Sequence, residues 1–404
     1  MPHENHVPTI TVGFESTLDT WITFSSIDEF GKFSQNYSGG LAEYVWEAFK
    51  TVSGGKGDEV SIDGKKDEAR ELLKQAKDMG AEVKSTLGGN AALESTTLQA
   101  LDSNVIFLGA FFPKQIKALH EYCGKFYENV DFSFAQSFED LYPTSYILQA
   151  VDSNRYILSE GQGRRIEQLR SYIQKFPHVL KQVLDKYGKL DMINLVGWHV
   201  LFANGINDQD LDLVKTRMKK IRQIVDSPFF TDAGGLASFK NKDRKLIYQI
   251  YSLFDILSLN QGELLQISQA LDITAGDEFQ TMSKILESSN FNTVWLHSLD
   301  YQMSLSKKYE KNILEEAQIA SAAAGVYRVE NGTFPTLAGL EHRKKTRNYS
   351  EKGLAKVKDF AKKYSSEKNF NFAITPCFLA RSFTSTVGAG DISAAGYTNV
   401  ISRA

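Results

Sequence analysis

Cysteine is nearly missing: Cys123 and Cys377 are the only two in 404 residues. Two thiols so far apart supply neither a disulfide framework nor metal-type spacing, which suits a reducing compartment. An excess of charge is missing too. The formal net charge is −3, which argues against bulk electrostatic attraction to nucleic acid or to an acidic membrane. No run of about 18 uninterrupted apolar residues occurs, so no transmembrane helix is expected. The opening stretch "MPHENHVPTITVGFES" has no basic segment followed by a long apolar run. No secretory leader is therefore expected, and the expected location is cytoplasmic. There is no internal repeat, no low-complexity linker and no GxxxxGK[ST] P-loop.

What remains is an ordinary globular composition, 42% hydrophobic and 24% charged, on a chain long enough for a large α/β domain with an inserted subdomain or for two domains. Short continuous apolar runs read as buried strands: "TITVGF", "NVIFLGAFF", "DMINLVGWHVLF", "DSPFFTDAG", "YSLFDILSLN", "NTVWLHSL" and "NFAITPCF". Amphipathic segments such as "DEARELLKQAKDMGAEV" and "LDLVKTRMKKIRQIV" lie between them. This alternation predicts a three-layer α/β core around a mostly parallel sheet. Two regions break the rhythm with glycine pairs, aromatic residues and period-two patterns such as "VDFSFAQSF". They predict a smaller β-rich lid made from insertions. The expected division is core at 1–21, lid at 22–85, core at 86–125, lid at 126–187 and core at 188–404.

The chemistry concentrates near the end, in "TSTVGAGDISAA", Thr384 to Ala395. Gly388 and Gly390 permit a tight turn that points several N–H groups one way. A helix starting near Ser393 would add its positive end, giving an anion hole suited to a phosphoryl group. Asp391 would then stand beside the hole as a proton acceptor. The same spacing also describes an N-cap aspartate after a glycine turn. Asp19 falls just past the first strand, where open α/β sheets bind ligands. "LGGNAALES" gives a second Gly-Gly turn leading into a helix, with Asn90 able to bond hydroxyls. "LNQGEL" places Asn260 and Glu263 on one face of a helical first turn, able to hold water around Mg²⁺ or simply to cap the helix. His297 ends a strand, where it would face the crevice. His199 sits in an apolar run and reads as a core histidine.

Together, "GFESTLD", "GGNAAL", "NQGE", "LHSLDY" and "TVGAGD" resemble the ADP-dependent sugar kinases of the ribokinase superfamily, the glucokinase and phosphofructokinase group, over nearly the whole chain. The resemblance implies a ribokinase-like core with a lid, ADP as phosphoryl donor giving AMP, and Mg²⁺, with ATP kept open as donor. It implies a sugar and a nucleotide as the small-molecule partners of a monomer or homodimer. It implies Asp19, Gly88, Gly89 and Asn90 at the sugar. Asp391 matches the catalytic base, and Gly388, Ala389 and Gly390 its anion hole. Asn260 and Glu263 match the metal motif. Arg155, in "SNRYI", matches an arginine near the nucleotide phosphates, with Thr386 and His297 on the same side. The family's H-x-E stretch reads "PFFTDAGGLASF" here: the histidine is missing and Asp232 would supply the carboxylate. Glu59, after a Gly-Lys stretch, resembles the lid glutamate of glucokinases and points to glucose. Lys114, Arg164 and Arg165 would serve the alternative, a sugar phosphate. A non-catalytic sugar or nucleotide binder on the same scaffold is the rival class.

Overall fold

A computed structural model describes residues 6–109, 112–113, 129–138, 144–151, 153–202, 205–236, 239–346, 348–382, 384 and 388–404. Lys114, Cys123 and Thr386 lie outside the described residues. Sixteen strands are described in chain order: β1 (Thr9–Phe14), β2 (Thr17–Phe24), β3 (Asp58–Ser61), β4 (Glu82–Gly88), β5 (Asn104–Phe107), β6 (Phe112–Pro113), β7 (Val130–Asp131), β8 (Ser137–Phe138), β9 (Thr144–Ala150), β10 (Arg155–Glu160), β11 (Met192–Val196), β12 (Phe229–Asp232), β13 (Ile256–Asn260), β14 (Thr293–His297), β15 (Tyr301–Ser306) and β16 (Asn371–Pro376).

Nine of these form the large sheet, in the order β16-β15-β14-β13-β12-β11-β1-β5-β7. Pairing is parallel from β14 to β7, while β15 and β16 run antiparallel at one edge. The strands of this sheet are buried on both faces, which is why they read as unbroken apolar runs. Ile193, Leu195, Leu257 and Leu259 pack into one layer. Ile10, Val12, Met192, Val196 and Trp295 pack into the other.

The small sheet has the order β3-β10-β9-β2-β4. Here the side chains alternate. Ile22, Phe24, Tyr146, Leu148, Tyr156 and Leu158 face a core shared with three helices, Ile27–Asn36, Ala42–Ser53 and Lys66–Asp78. Phe24 stacks on Phe30 at 4.6 Å between ring centroids. The opposite face, made from the intervening residues, carries no helix layer of that core.

The structure moves several expected boundaries. The small sheet starts at Thr17 rather than at residue 22, so Asp19 sits on it. It also takes Gly88, through β4. The expected second insertion, 126–187, is divided between the sheets. β9 and β10 join the small sheet, whereas Val130–Asp131 pairs with β5 in the large one. The helix Gln162–Tyr187 contributes Ile166, Leu169, Ile173 and Phe176 to the large core. "DMINLVGWHVLF" is a strand only as far as Val196; Trp198–Phe202 is a short 3-10 turn.

The last helix, Ala389–Ile401, packs closely against Lys311–Asn331. Gly396 makes this approach possible. A Cβ there would come within 2.9 Å of the Ala320 carbonyl and 3.0 Å of the Ala324 Cβ. Gly396→Val is expected to lower stability by about 1–3 kcal/mol through overpacking, read as a lower urea midpoint with an unchanged m-value.

Candidate active site

The segments that follow β1, β11 and β12 open onto one cleft, at the carboxyl edge where open α/β sheets bind ligands. Its volume is about 530 Å³. One wall is the uncovered face of the small sheet. Strand alternation places Thr17 and Asp19 of β2, Glu59 of β3, Ser145 and Ile147 of β9, and Arg155 and Ile157 of β10 there together. The opposite wall comes from the large sheet and its helices: Glu15, Asn90, Leu93, Arg165, His199, Gly388 and Asp391.

The Gly388–Asp391 stretch is the start of the last helix itself. The helix begins at Ala389, four residues earlier than expected, and Gly388 is its N-cap with φ +71°. The first helical hydrogen bond is donated by Ile392 to the Gly388 carbonyl, 2.9 Å. The amides of Ala389, Gly390 and Asp391 therefore have no carbonyl partner within the helix and lie at its positive end, and the Asp391 amide donates to that residue's own carboxylate. Two constraints select glycine at 388. The backbone is left-handed, and a Cβ would meet Leu93 Cδ1 at 2.5 Å. Gly390 is exposed. Asp391 is half-buried at the cleft floor. Burial, with the negative charges of Asp232 and Glu15, pushes its carboxyl up to about 7, against the pull of His297.

On the small-sheet wall, Thr17 Oγ1 donates to Asp19 Oδ1 at 2.9 Å. Burial raises the Asp19 carboxyl to about 6, opposed by that hydrogen bond and by Arg165 and Arg155. Gly88 does not line the cleft. It pairs with Thr17, and the Asp19 carboxylate fills the space its side chain would take. Gly89, with φ +84°, caps the helix Asn90–Ala100, and Asn90 opens that helix into the cleft. Glu59 accepts a hydrogen bond from Ser159 Oγ. Arg155 shares the cleft with Asp19 rather than lying apart on a nucleotide side.

The residues expected at the metal are not among the described residues lining this cleft, but Asp232 and His297 act on Asp391 from beside it. Asn260 and Glu263 make a capping box: Asn260 Oδ1 accepts from the Glu263 amide at 3.0 Å, and Glu263 Oε2 from the Asn260 amide at 2.8 Å. Asp232 ends β12 and accepts from the Gly234 amide (2.9 Å) and Ser258 Oγ (2.6 Å). His297 Nε2 lies 3.9 Å from Asp232 Oδ2, so His297 joins this acidic layer and does not line the cleft. Burial works against a charged imidazole there, yet Asp232, Glu263 and Asp391 raise its pKa. Burial, then Asp232, pushes Glu263 up to about 7.

Four residues at or behind the cleft had no expected role or a different one. His199 lines the cleft instead of filling the core, with Nε2 3.9 Å from Glu15 Oε2. Glu15 and Arg165 form an ion pair at 3.4 Å, both almost fully buried. Glu94 is completely buried on the helix Asn90–Ala100. Its Oε2 accepts from Asn194 Nδ2 at 3.1 Å, and Asn194 also reaches Thr398 on the last helix at 3.3 Å. Burial, then the charge of Asp391, holds the Glu94 carboxyl well above its usual range. The sequence signal was weak: one acid inside "NAALESTTL".

The family model described as the ADP-specific phosphofructokinase/glucokinase conserved region matches residues 45–399. The chain belongs to that family. As a member it is an ADP-dependent sugar kinase. No curated protein matches in sequence. Among solved structures, the chain is similar to a hypothetical ADP-dependent phosphofructokinase from Pyrococcus horikoshii OT3, with TM-score 0.73, 17% identity, and 98% and 97% of the two chains covered. It is similar to a last common ancestor of ADP-dependent phosphofructokinases from Methanosarcinales, with TM-score 0.71, 18% identity, and 98% and 94% covered. It is also similar to an ADP-dependent kinase in complex with fructose-6-phosphate and ADPβS, with TM-score 0.69, 17% identity, and 98% and 94% covered. At these identities the likeness is one of fold. No described helix is long and apolar enough to cross a membrane.

Asp391 also has a consequence for stability. Its folded pKa, about 7, exceeds its ordinary value of 3.8. The folded state therefore holds a proton that the unfolded state has lost, and stability falls as pH rises between those values. Asp391→Asn removes this loss. The variant is expected to melt at a higher temperature than the parent at pH 8, with the difference vanishing near pH 4, in matched thermal scans.

Proposed function

We propose that this protein transfers the β-phosphoryl group of ADP to a hydroxyl of an unphosphorylated hexose such as glucose, with Asp391 as general base. The observation that carries the reading is the shared cleft, in which the Asp19–Glu59–Arg155 face of the small sheet opposes the Gly388–Asp391 helix start. Asp19, Glu59, Asn90 and Ser145 offer acceptors and donors for sugar hydroxyls. The described lining holds five carboxylates (Glu15, Asp19, Glu59, Asp243, Asp391) and three cationic side chains (Arg155, Arg165, Lys240). This excess of acid favours a neutral acceptor over a phosphorylated one.

In the reaction, the sugar oxygen forms a bond to the β-phosphorus while the bond from that phosphorus to the bridging oxygen breaks and AMP leaves. Asp391 accepts the hydroxyl proton, for which a carboxylate near 7 is well matched. The amides of residues 389–391 meet charge on the phosphoryl oxygens. The small sheet acts as a lid, whose closure excludes water as a competing acceptor.

The acidic layer beneath suits Mg²⁺ held through water rather than in a protein cage. Among the described residues no three His, Cys, Asp or Glu side chains gather as a direct metal site. Asp232 and Glu263 would hold the hydrated ion, and its charge would offset the repulsion that adds to burial in raising Glu263 and Asp391. When bound, Mg²⁺ would neutralise phosphate charge.

A second reading, a phosphorylated sugar as acceptor, is favoured by Arg155 and Lys240 on the lining. The solved complex with fructose-6-phosphate belongs to a relative of the same fold. A coupled assay with ADP, then ATP, against glucose and fructose 6-phosphate decides between the two. Turnover with ADP and glucose is expected, and a preference for fructose 6-phosphate would overturn the choice of acceptor. Absence of turnover with every pair would favour a binding protein.

Asp391→Asn is expected to lower kcat by about 10²–10⁴-fold, the contribution of a positioned base, while ADP affinity by calorimetry changes little. In the parent enzyme, kcat/KM is expected to rise with pH up to about 7 and then level off, as the Asp391 carboxyl loses its proton. A flat profile from pH 5 to 8 would remove Asp391 from the role of base.

A further inference from the structure

Arg165 is an unusual residue for its position. It lies in the first turn of the helix Gln162–Tyr187, where its amide bonds the Gly161 carbonyl at 3.1 Å. The positive end of a helix disfavours a cation. The side chain is 5% exposed and lines the cleft. Its Nε has no hydrogen-bond partner among the described residues. Its charge is opposed by Glu15, whose Oε1 stands 3.4 Å from Nη2 and whose side chain is 9% exposed. Glu15 sits just past β1, between the two walls. Its charge acts on both Asp19 and Asp391, and its Oε2 lies 3.9 Å from His199.

We propose that the Glu15–Arg165 pair is the specificity device of the acceptor site: Glu15 cancels a buried arginine that would otherwise bind the phosphate of a sugar phosphate. The inference rests on the hexose reading above. A buried guanidinium without an anion is costly, so it takes whichever anion the site supplies. Here the anion is built into the chain. A phosphate entering the same space would have to displace Glu15 from Arg165 and would also be repelled by it. A neutral hexose meets no such conflict. Its hydroxyls can donate to Glu15 without displacing the pair. Glu15→Gln removes the charge while keeping the side chain's shape, and leaves Arg165 free to pair with phosphate.

The test measures binding, so that it does not depend on turnover. Dissociation constants for glucose and fructose 6-phosphate are measured by calorimetry on the full chain, parent and variants. Glu15→Gln is expected to shift the affinity ratio toward fructose 6-phosphate by at least about tenfold, the scale of one charge-assisted contact. Adding Arg165→Gln to it is expected to abolish that shift. A ratio unmoved in Glu15→Gln, or a shift that survives in the double variant, would overturn the proposal. If Glu15→Gln does not fold, Arg165→Gln alone decides. With Glu15 left unopposed it is expected to lose fructose 6-phosphate affinity relative to glucose, and an unchanged ratio counts against the proposal. A parent that prefers fructose 6-phosphate would instead overturn the hexose reading itself. A parent that prefers glucose with an unresponsive Glu15→Gln sinks only the pair's role.

Discussion

Asp391 is held at the floor of a cleft crowded with other carboxylates. Asp391 feels Asp232 and Glu15, and behind it Glu94 is buried completely. Such a cluster is unstable unless opposing charge is arranged around it. Three sources supply that charge: the positive end of the Ala389–Ile401 helix, His297 beside Asp232, and Arg165 beside Glu15. Burial, and then the neighbouring acids, keep the Asp391 and Glu263 carboxyls raised despite this partial compensation. The base and the cation layer proposed above both draw on this burial and crowding.

The second wall follows from strand geometry. The small sheet buries alternate residues against its three helices, so the residues between them face the cleft. Asp19, Glu59 and Arg155 come from three strands widely separated in the chain. They share a face only because their registers align: Asp19 opposite Ser145, Ile147 opposite Ile157, and Ile157 opposite Glu59. A slip of one residue in any strand would turn its polar side chain into the helix-covered core. The sheet's hydrophobic core therefore fixes which residues face the cleft.

Much of this was readable beforehand. Continuous apolar runs named the strands of the large sheet, because burial on both faces leaves no polar face to interrupt them. The glycines of "GGNAAL" mark one helix start at the cleft, and those of "TVGAGD" mark the turn before the other. Other features were not readable. The helix Gln162–Tyr187 lies next to lid-like sequence, but its apolar stripe matches the large core, and only packing shows which core it fills. The start of the last helix was misplaced because Ala389 and Gly390 read as turn residues. His199 resembled a core residue because its neighbours are apolar; a short 3-10 turn after β11 carries it to the cleft instead.

The sequence by itself determined the fold class and the two glycine turns, since these rest on local preference and on hydrophobic period. It also carried the family resemblance, through short motifs. Tertiary structure alone decided that Glu15, far from Arg165 in the chain, would neutralise it, and that Glu94 would lie behind Asp391. Charge pairing at such separations depends on distances of a few ångströms in space, and spacing along the chain does not encode them.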